Sequence, residues 1–249
     1  MRPPCHRYLT AEVRFSRSRR IGDHDGMHLL LSGIVGSVAY GLAGPGSDTD
    51  RIGVFAAPTV AFHGLHPPRE SVVTTDPDVT LHEARKYALL ALSGNPTATE
   101  LMWLPDDCYE TRTDLGERLI AIRSAFLSAS RVRDAYLGYA SQQFRKLTTA
   151  PPDVGGRRRS AKHARHLARL LHQGRVLYAT GVLEIRLADP GWFRAFGERV
   201  AGGALGEAQA LVADAEAEFA RVRSPLPERP DEETAERWLL DVRAAHLPG

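Results

Sequence analysis

Apolar positions follow two different rhythms along this chain. Up to about residue 112 they come in short runs broken by turn residues. His28 to Ile34 is strongly apolar but alternates poorly, so period alone leaves it as a buried strand or the end of a helix. Gly36-Ser37 then starts a helical turn, with Ser37 as the expected cap. GPGSD at 44–48 is turn chemistry. Asp48 to Phe55 reads as a strand, polar at its start and apolar afterwards. PTVAFHGLHPPRES reads as an irregular connection, and Asp78 to His82 as a short strand. Glu83 to Leu92 changes period, because Ala84, Tyr87, Ala88 and Ala91 recur at helical spacing. Gly94 stops that helix and Pro96 suits the first turn of the next.

From about residue 114 the helical rhythm takes over. Leu115, Leu119, Ile122 and Phe126 form one apolar stripe, and Tyr136, Tyr139, Ala140 and Phe144 form another within 132–147. PPDVGGRRRS at 151–160 is expected to be a loop, followed by a long helix from Ala161 to Thr180 that Gly181 closes. Helices near 190–200 and over 204–223 come next, then a polar, proline-broken linker and a last helix. Strands first and helices second imply an α+β fold, a small mixed sheet with helices followed by an all-helical region. The expected divisions are 1–26, 27–112, 113–223 and 224–249. Residues 1–26 are arginine-rich and lack apolar period, so they form either a basic N-terminal arm or an over-extended start, since Met27 stands directly before the first strong run.

Composition changes this picture little. The 249 residues are 43% hydrophobic and 25% charged, ordinary for a soluble globular chain. A net charge of +2 leaves any case for a nucleic-acid partner to local clusters. One such cluster exists: RRRSAKHARHLARLLHQGR at 157–175 contains no acid. Within it Lys162, His166 and Arg169 stand at i, i+4 and i+7 and share one helix face, a basic wall for phosphates or a solvated surface. No aromatic residues interleave regularly with the cluster, so base stacking is not indicated there. Cys5 and Cys108 lack metal-ligand or disulfide spacing, which favours reduced thiols and a cytoplasmic location. No apolar run nears the ~18 residues of a membrane span, and no secretory leader pattern opens the chain. The histidines show no HExxH spacing, and neither a GxSxG elbow nor a GxxxxGK[ST] loop is present. His163 and His172 are expected at the surface or in packing. Tyr40, Leu101, Met102 and Trp103 are expected to pack, Asn95 to cap a helix, and Glu100 to hold backbone of the helical region.

The chemistry concentrates in GSVAYGLAGPGSDTD, residues 36–50. Asp48 and Asp50 are two apart, so on a strand both carboxylates point the same way. They repel each other unless a cation lies between or beyond them. Magnesium takes such oxygen ligands and completes its shell with water and substrate phosphates. A glycine before them lets backbone approach a ligand closely, and a helix start favours phosphate. Triphosphate donors opposite paired carboxylates are the parts that metal-assisted nucleotidyl transfer needs.

GSVAYGLAGPGSDTDRIGV resembles the Gly-Ser…Asp-x-Asp signature of the DNA polymerase β-like nucleotidyltransferase superfamily. It resembles most the bacterial and phage group with a GS-x-AYGL…SD-x-D-x-x-G pattern. DVTLHEARKYALLALSGNPTATELMWLP is similar to that group's second block, and SAKHARHLARLLHQGRVLYATGVLEIRL to its helical block, so the likeness spans roughly residues 28–200. The resemblance implies a polymerase β-like catalytic domain over 27–112. It implies three magnesium-binding carboxylates: Asp48, Asp50 and a third on a neighbouring strand, Asp78 with Glu83 as the alternative; manganese is the alternative metal. It implies that Gly36 and Ser37 bind nucleotide phosphates, with Lys162, His166 and Arg169 as further nucleotide contacts. The expected reaction moves a nucleoside monophosphate from an NTP to an acceptor hydroxyl, an RNA end being favoured. Transfer to a protein or a small molecule, or a non-catalytic nucleotide- or RNA-binding module, are the alternatives.

Overall fold

The structure, a computed structural model, describes residues 26–149 and 154–247. Strand β1 (His28–Val35) is an interior strand of a five-stranded sheet. It pairs antiparallel with β2 (Asp50–Ala56) on one side, Val35 facing Asp50, and with β5 (Tyr109–Arg112) on the other. β2 pairs parallel with β4 (Asp78–Glu83), and β4 pairs antiparallel with β3 (Ser71–Thr75). The order is β3-β4-β2-β1-β5.

Burial explains the sequence pattern of the central strands. On β2, Ile52, Val54 and Ala56 enter the main core, while Phe55 joins Val79 and Leu81 in a smaller cluster on the other face. A strand covered on both faces loses its polar alternation, which is why the apolar run of β1 does not alternate either. Leu30, Leu31 and Val35 are all buried there. The run is a strand, and it hands over directly to a short helix, α1 (Gly36–Tyr40). Two strands were not expected, β3 and β5. Both lie at sheet edges, where one side has no neighbour. Their residues are mostly half-buried or exposed, so they carry little apolar signal.

Helices α2 (Ala84–Leu92) and α3 (Pro96–Leu101) follow β4. Asn95 caps α3 as expected, its Oδ1 accepting from the Ala98 amide at 3.1 Å. The helical region comprises α4 (Asp114–Ala121), α5 (Ala129–Thr149), α6 (Val154–Thr180), α7 (Pro190–Ala201) and α8 (Leu205–Arg221). It surrounds α6, whose Ala164, Leu167, Leu170, Leu171 and Leu177 are buried. α6 starts at Val154, so residues 154–160 are helix where a loop was expected, while 150–153 lie outside the described residues. The glycine pair there weakens helix propensity, but propensity is a weak prior that neighbouring structure overrides. The last helix, α9 (Glu232–Ala245), returns to the strand-bearing half. There Arg243 Nη1 donates to Glu83 Oε1 at the end of β4 at 2.7 Å, and Trp238 Nε1 donates to the Leu115 carbonyl of α4 at 2.9 Å. The fold is therefore mixed α+β, a small sheet with helices followed by a helical region, as expected. The N-terminal segment 1–25 lies outside the described residues.

Candidate functional site

Gly36 opens α1 directly after β1, with φ of +69°. A side chain is strained in that left-handed region. A Cβ built on Gly36 would also stand 2.3 Å from Asp50 Oδ2. The Asp50 carboxylate thus lies against bare backbone, a close approach that only glycine allows. Ser37 does not cap α1, contrary to expectation. The cap position is Val35, which has no side-chain cap bond, and Ser37 lies inside the helix. Its carbonyl accepts from the Leu42 and Ala43 amides at 2.8 and 2.9 Å and closes the turn. Its hydroxyl has no hydrogen-bond partner among the described residues.

The parallel register of β2 and β4 sets Arg51 opposite Val79, which puts Asp50 and Asp78 side by side at the same end of the sheet. The Asp50 carboxyl is held above the usual carboxylate range. Burial is the main cause, followed by the negative charge of Asp78; Asp48 adds to it, and a hydrogen bond with Asp78 acts in the same direction. Lys162 opposes them. Asp48 is exposed and precedes β2, so the expected same-strand alternation does not apply to it; it reaches Asp50 through charge. No group of three or more His, Cys, Asp or Glu among the described residues is placed to hold a metal ion by itself. The geometry is a close carboxylate pair with a third carboxylate at its rim.

α6 supplies the opposite wall. Lys162 is exposed, has no ion-pair partner among the described residues, and is near enough for its charge to lower Asp50. His166 lies one turn on. Burial first, then the positive charges of Arg169, His163, Lys146 and Lys162, push its imidazole down to about 3. It is therefore neutral at physiological pH. Arg169 departs from the expected nucleotide contact. It is 4% exposed, bonds Glu100 and Gln173 through Nη1, and stacks its guanidinium 4.1 Å from the Tyr40 ring centroid. The shared helix face is real, but its third member lies under α1 rather than in the open.

Glu83 is not brought to the acidic pair. It ends β4, five residues beyond Asp78 and roughly 16 Å away at the usual strand rise. Its odd position also turns it to the sheet face opposite Asp78. It is 3% exposed, caps α2 by accepting from the Arg85 amide at 2.9 Å, and pairs with Arg243 of α9 at 2.7 Å. Two further residues hold the site that sequence reasoning left out or placed elsewhere. Arg194 of α7 donates to the Gly41 carbonyl at 2.8 Å, just after α1. Glu100 holds side chains, Tyr40 and Arg169, and not backbone. An acid embedded in the apolar ELMWL segment was the available signal for it.

A family model described as the RNA repair pathway DNA polymerase beta family matches residues 12–186. The match begins inside the segment set apart as an arm or an over-extended start, so residues 12–26 are part of the matched region. No curated protein matches the chain.

Proposed function

Given that the chain belongs to the RNA repair pathway DNA polymerase beta family and is a polymerase β-like nucleotidyltransferase, we propose that it transfers a nucleoside monophosphate from an NTP to a hydroxyl at an RNA end. The observation that carries this reading is the Asp50 carboxyl, wedged against Gly36, paired with Asp78 and faced by Lys162. Two carboxylates forced together are stable as anions only when positive charge joins them. Magnesium fits such a pair, because one or two carboxylates plus substrate phosphates are its usual protein complement. Asp50 and Asp78 would hold it, with Asp48 at the rim. Bound there, the metal would supply charge neutralisation for the phosphates and lower the barrier to hydroxyl attack.

The residues of the chain do the rest. Ser37, next to Gly36, receives the phosphates from one side. Lys162 meets them from the other as a point charge. The acceptor oxygen attacks the α-phosphorus, its proton passes to Asp78, the bond to the bridging oxygen breaks, and pyrophosphate leaves.

The test offers each α-labelled NTP with magnesium, total RNA and cell lysate to wild type and to Asp48→Ala/Asp50→Ala. Label on RNA that the double variant loses is the expected result. Label on protein or on a small molecule instead reassigns the acceptor. A folded wild type that binds NTP but transfers no label makes the chain a binding module.

A further inference from the structure

A closed ring of buried polar contacts lies beneath the candidate site. The Tyr40 hydroxyl donates to Glu100 Oε2 at 2.5 Å, and the other Glu100 oxygen accepts from Arg169 Nη1. The Arg169 guanidinium covers the Tyr40 ring, and Nη1 also reaches Gln173 Oε1 at 2.6 Å. Gln173 Nε2 donates to the Glu184 carbonyl at 2.9 Å, and the same loop returns through the Leu187 amide to the Tyr40 carbonyl at 3.3 Å. All four side chains are buried.

Such a ring is an uneconomical source of stability, since a well-packed apolar set often serves a core as well as a buried ion pair. Its distinctive effect is geometric. α1 has five residues and no side-chain cap at its start, so its own hydrogen bonds cannot hold it in place. The ring grips its last residue, and Gly36 is about 6 Å along the axis from there. On α6 the ring grips Arg169, and Lys162 stands two turns away on the same face, about 10 Å along. One clamp thus sets both walls of the site.

We propose that Tyr40, Glu100 and Arg169 are positioning residues, which hold Ser37 and Lys162 at the separation that a polyphosphate bound at Asp50 and Asp78 requires. The consequence for rate rests on the transferase reading; the consequence for phosphate binding does not.

The test compares wild type with Tyr40→Phe/Glu100→Leu/Arg169→Met, which replaces three members of the ring by apolar groups and leaves Gln173 Oε1 as the one acceptor without its donor. The probe is inorganic tripolyphosphate with magnesium, measured by titration calorimetry beside the melting temperature and single-turnover transfer. The triple variant is expected to stay folded, to melt below wild type because Gln173 Oε1 loses its donor, and to bind tripolyphosphate at least ~10-fold more weakly. It should transfer roughly 100-fold more slowly, the scale of a small misplacement of reacting groups. Arg243→Met is the control: it breaks another buried ion pair, lowers the melting temperature and leaves tripolyphosphate affinity unchanged. Wild-type affinity in the folded triple variant overturns the proposal. Should the triple variant fail to fold, Tyr40→Phe decides, since it keeps the ring under Arg169 and removes one hydroxyl. A several-fold weaker affinity is then expected, and an unchanged one overturns the proposal. A wild type that binds tripolyphosphate but transfers nothing sinks the transferase reading alone, and the affinities still decide the clamp. A wild type that does not bind tripolyphosphate overturns both.

Discussion

Gly36 meets two demands at once, a left-handed backbone and room for the Asp50 carboxylate. Gly36→Ala violates both. It should cost about 1–3 kcal/mol in a denaturant melt, the range for non-glycine residues held in such backbone regions, and it should abolish transfer by displacing Asp50. Wild-type transfer by a folded Gly36→Ala protein would mean that the Asp50 position is not critical. Asp50 itself illustrates a cost borne at a site. Its folded carboxyl is raised, so the stability it contributes is present below the unfolded carboxylate range and is lost as pH rises through the folded value. Asp50→Asn should therefore melt higher than wild type near pH 7.5 in EDTA, and the difference should vanish below roughly pH 4. The same substitution should remove transfer. Wild-type activity should fall as pH falls through the raised Asp50 value, because the proposed reaction uses the ionised form. A variant that melts lower at neutral pH would contradict the crowding inferred at Asp50.

At the scale of elements, the site is a junction of pieces that cannot form it alone. β2 brings Asp50, β4 brings Asp78, α1 brings Gly36 and Ser37, and α6 brings Lys162. β4 carries acids at both ends with different work. Asp78 faces the site, and Glu83 at the other end caps α2 and ties down α9 through Arg243. Glu83→Gln keeps an acceptor for the cap but weakens the ion pair. It should cost about 2 kcal/mol of stability, as expected when a charged hydrogen bond is lost from a buried place. Transfer per folded molecule should stay near wild type in a rate assay below the melt. A stable variant without activity would return Glu83 to the chemistry.

At the scale of the molecule, one apolar cluster runs from Leu30 of β1 to Val242 of α9 and includes the leucines of α6. The sheet and the helical region share that core, so the Asp50 and Lys162 walls are parts of one packed body. No helix among the described residues is long and apolar enough to cross a membrane. Because the carboxylate pair is strained without positive charge, magnesium should raise the melting temperature of wild type. A free concentration of 100 times the dissociation constant corresponds to about 2.7 kcal/mol. Asp50→Asn/Asp78→Asn should abolish the shift in a thermal melt with and without the ion. An equal shift in both proteins would place the ion elsewhere.

The order of strands and helices was legible along the chain, because periodicity is a local property and survives without knowledge of neighbours. The meeting of Gly36 with Asp50 had a local signal as well, in a glycine at a turn with acids soon after it, but Ser37 does not cap the helix and Asp48 precedes the strand. The edge strands β3 and β5 were not legible, since half-exposed residues leave no apolar rhythm. The partnership of Asp50 with Asp78 depended on a parallel register across 27 intervening residues, and register belongs to the packed sheet. The same register decided which acid of β4 faces the site. For α6, the sequence by itself determined that Lys162, His166 and Arg169 share a face. Only tertiary structure decided that α1 and α3 cover the lower turn of that face. Burial there ties Arg169 to Glu100 and Tyr40, while Lys162, two turns away, stays exposed.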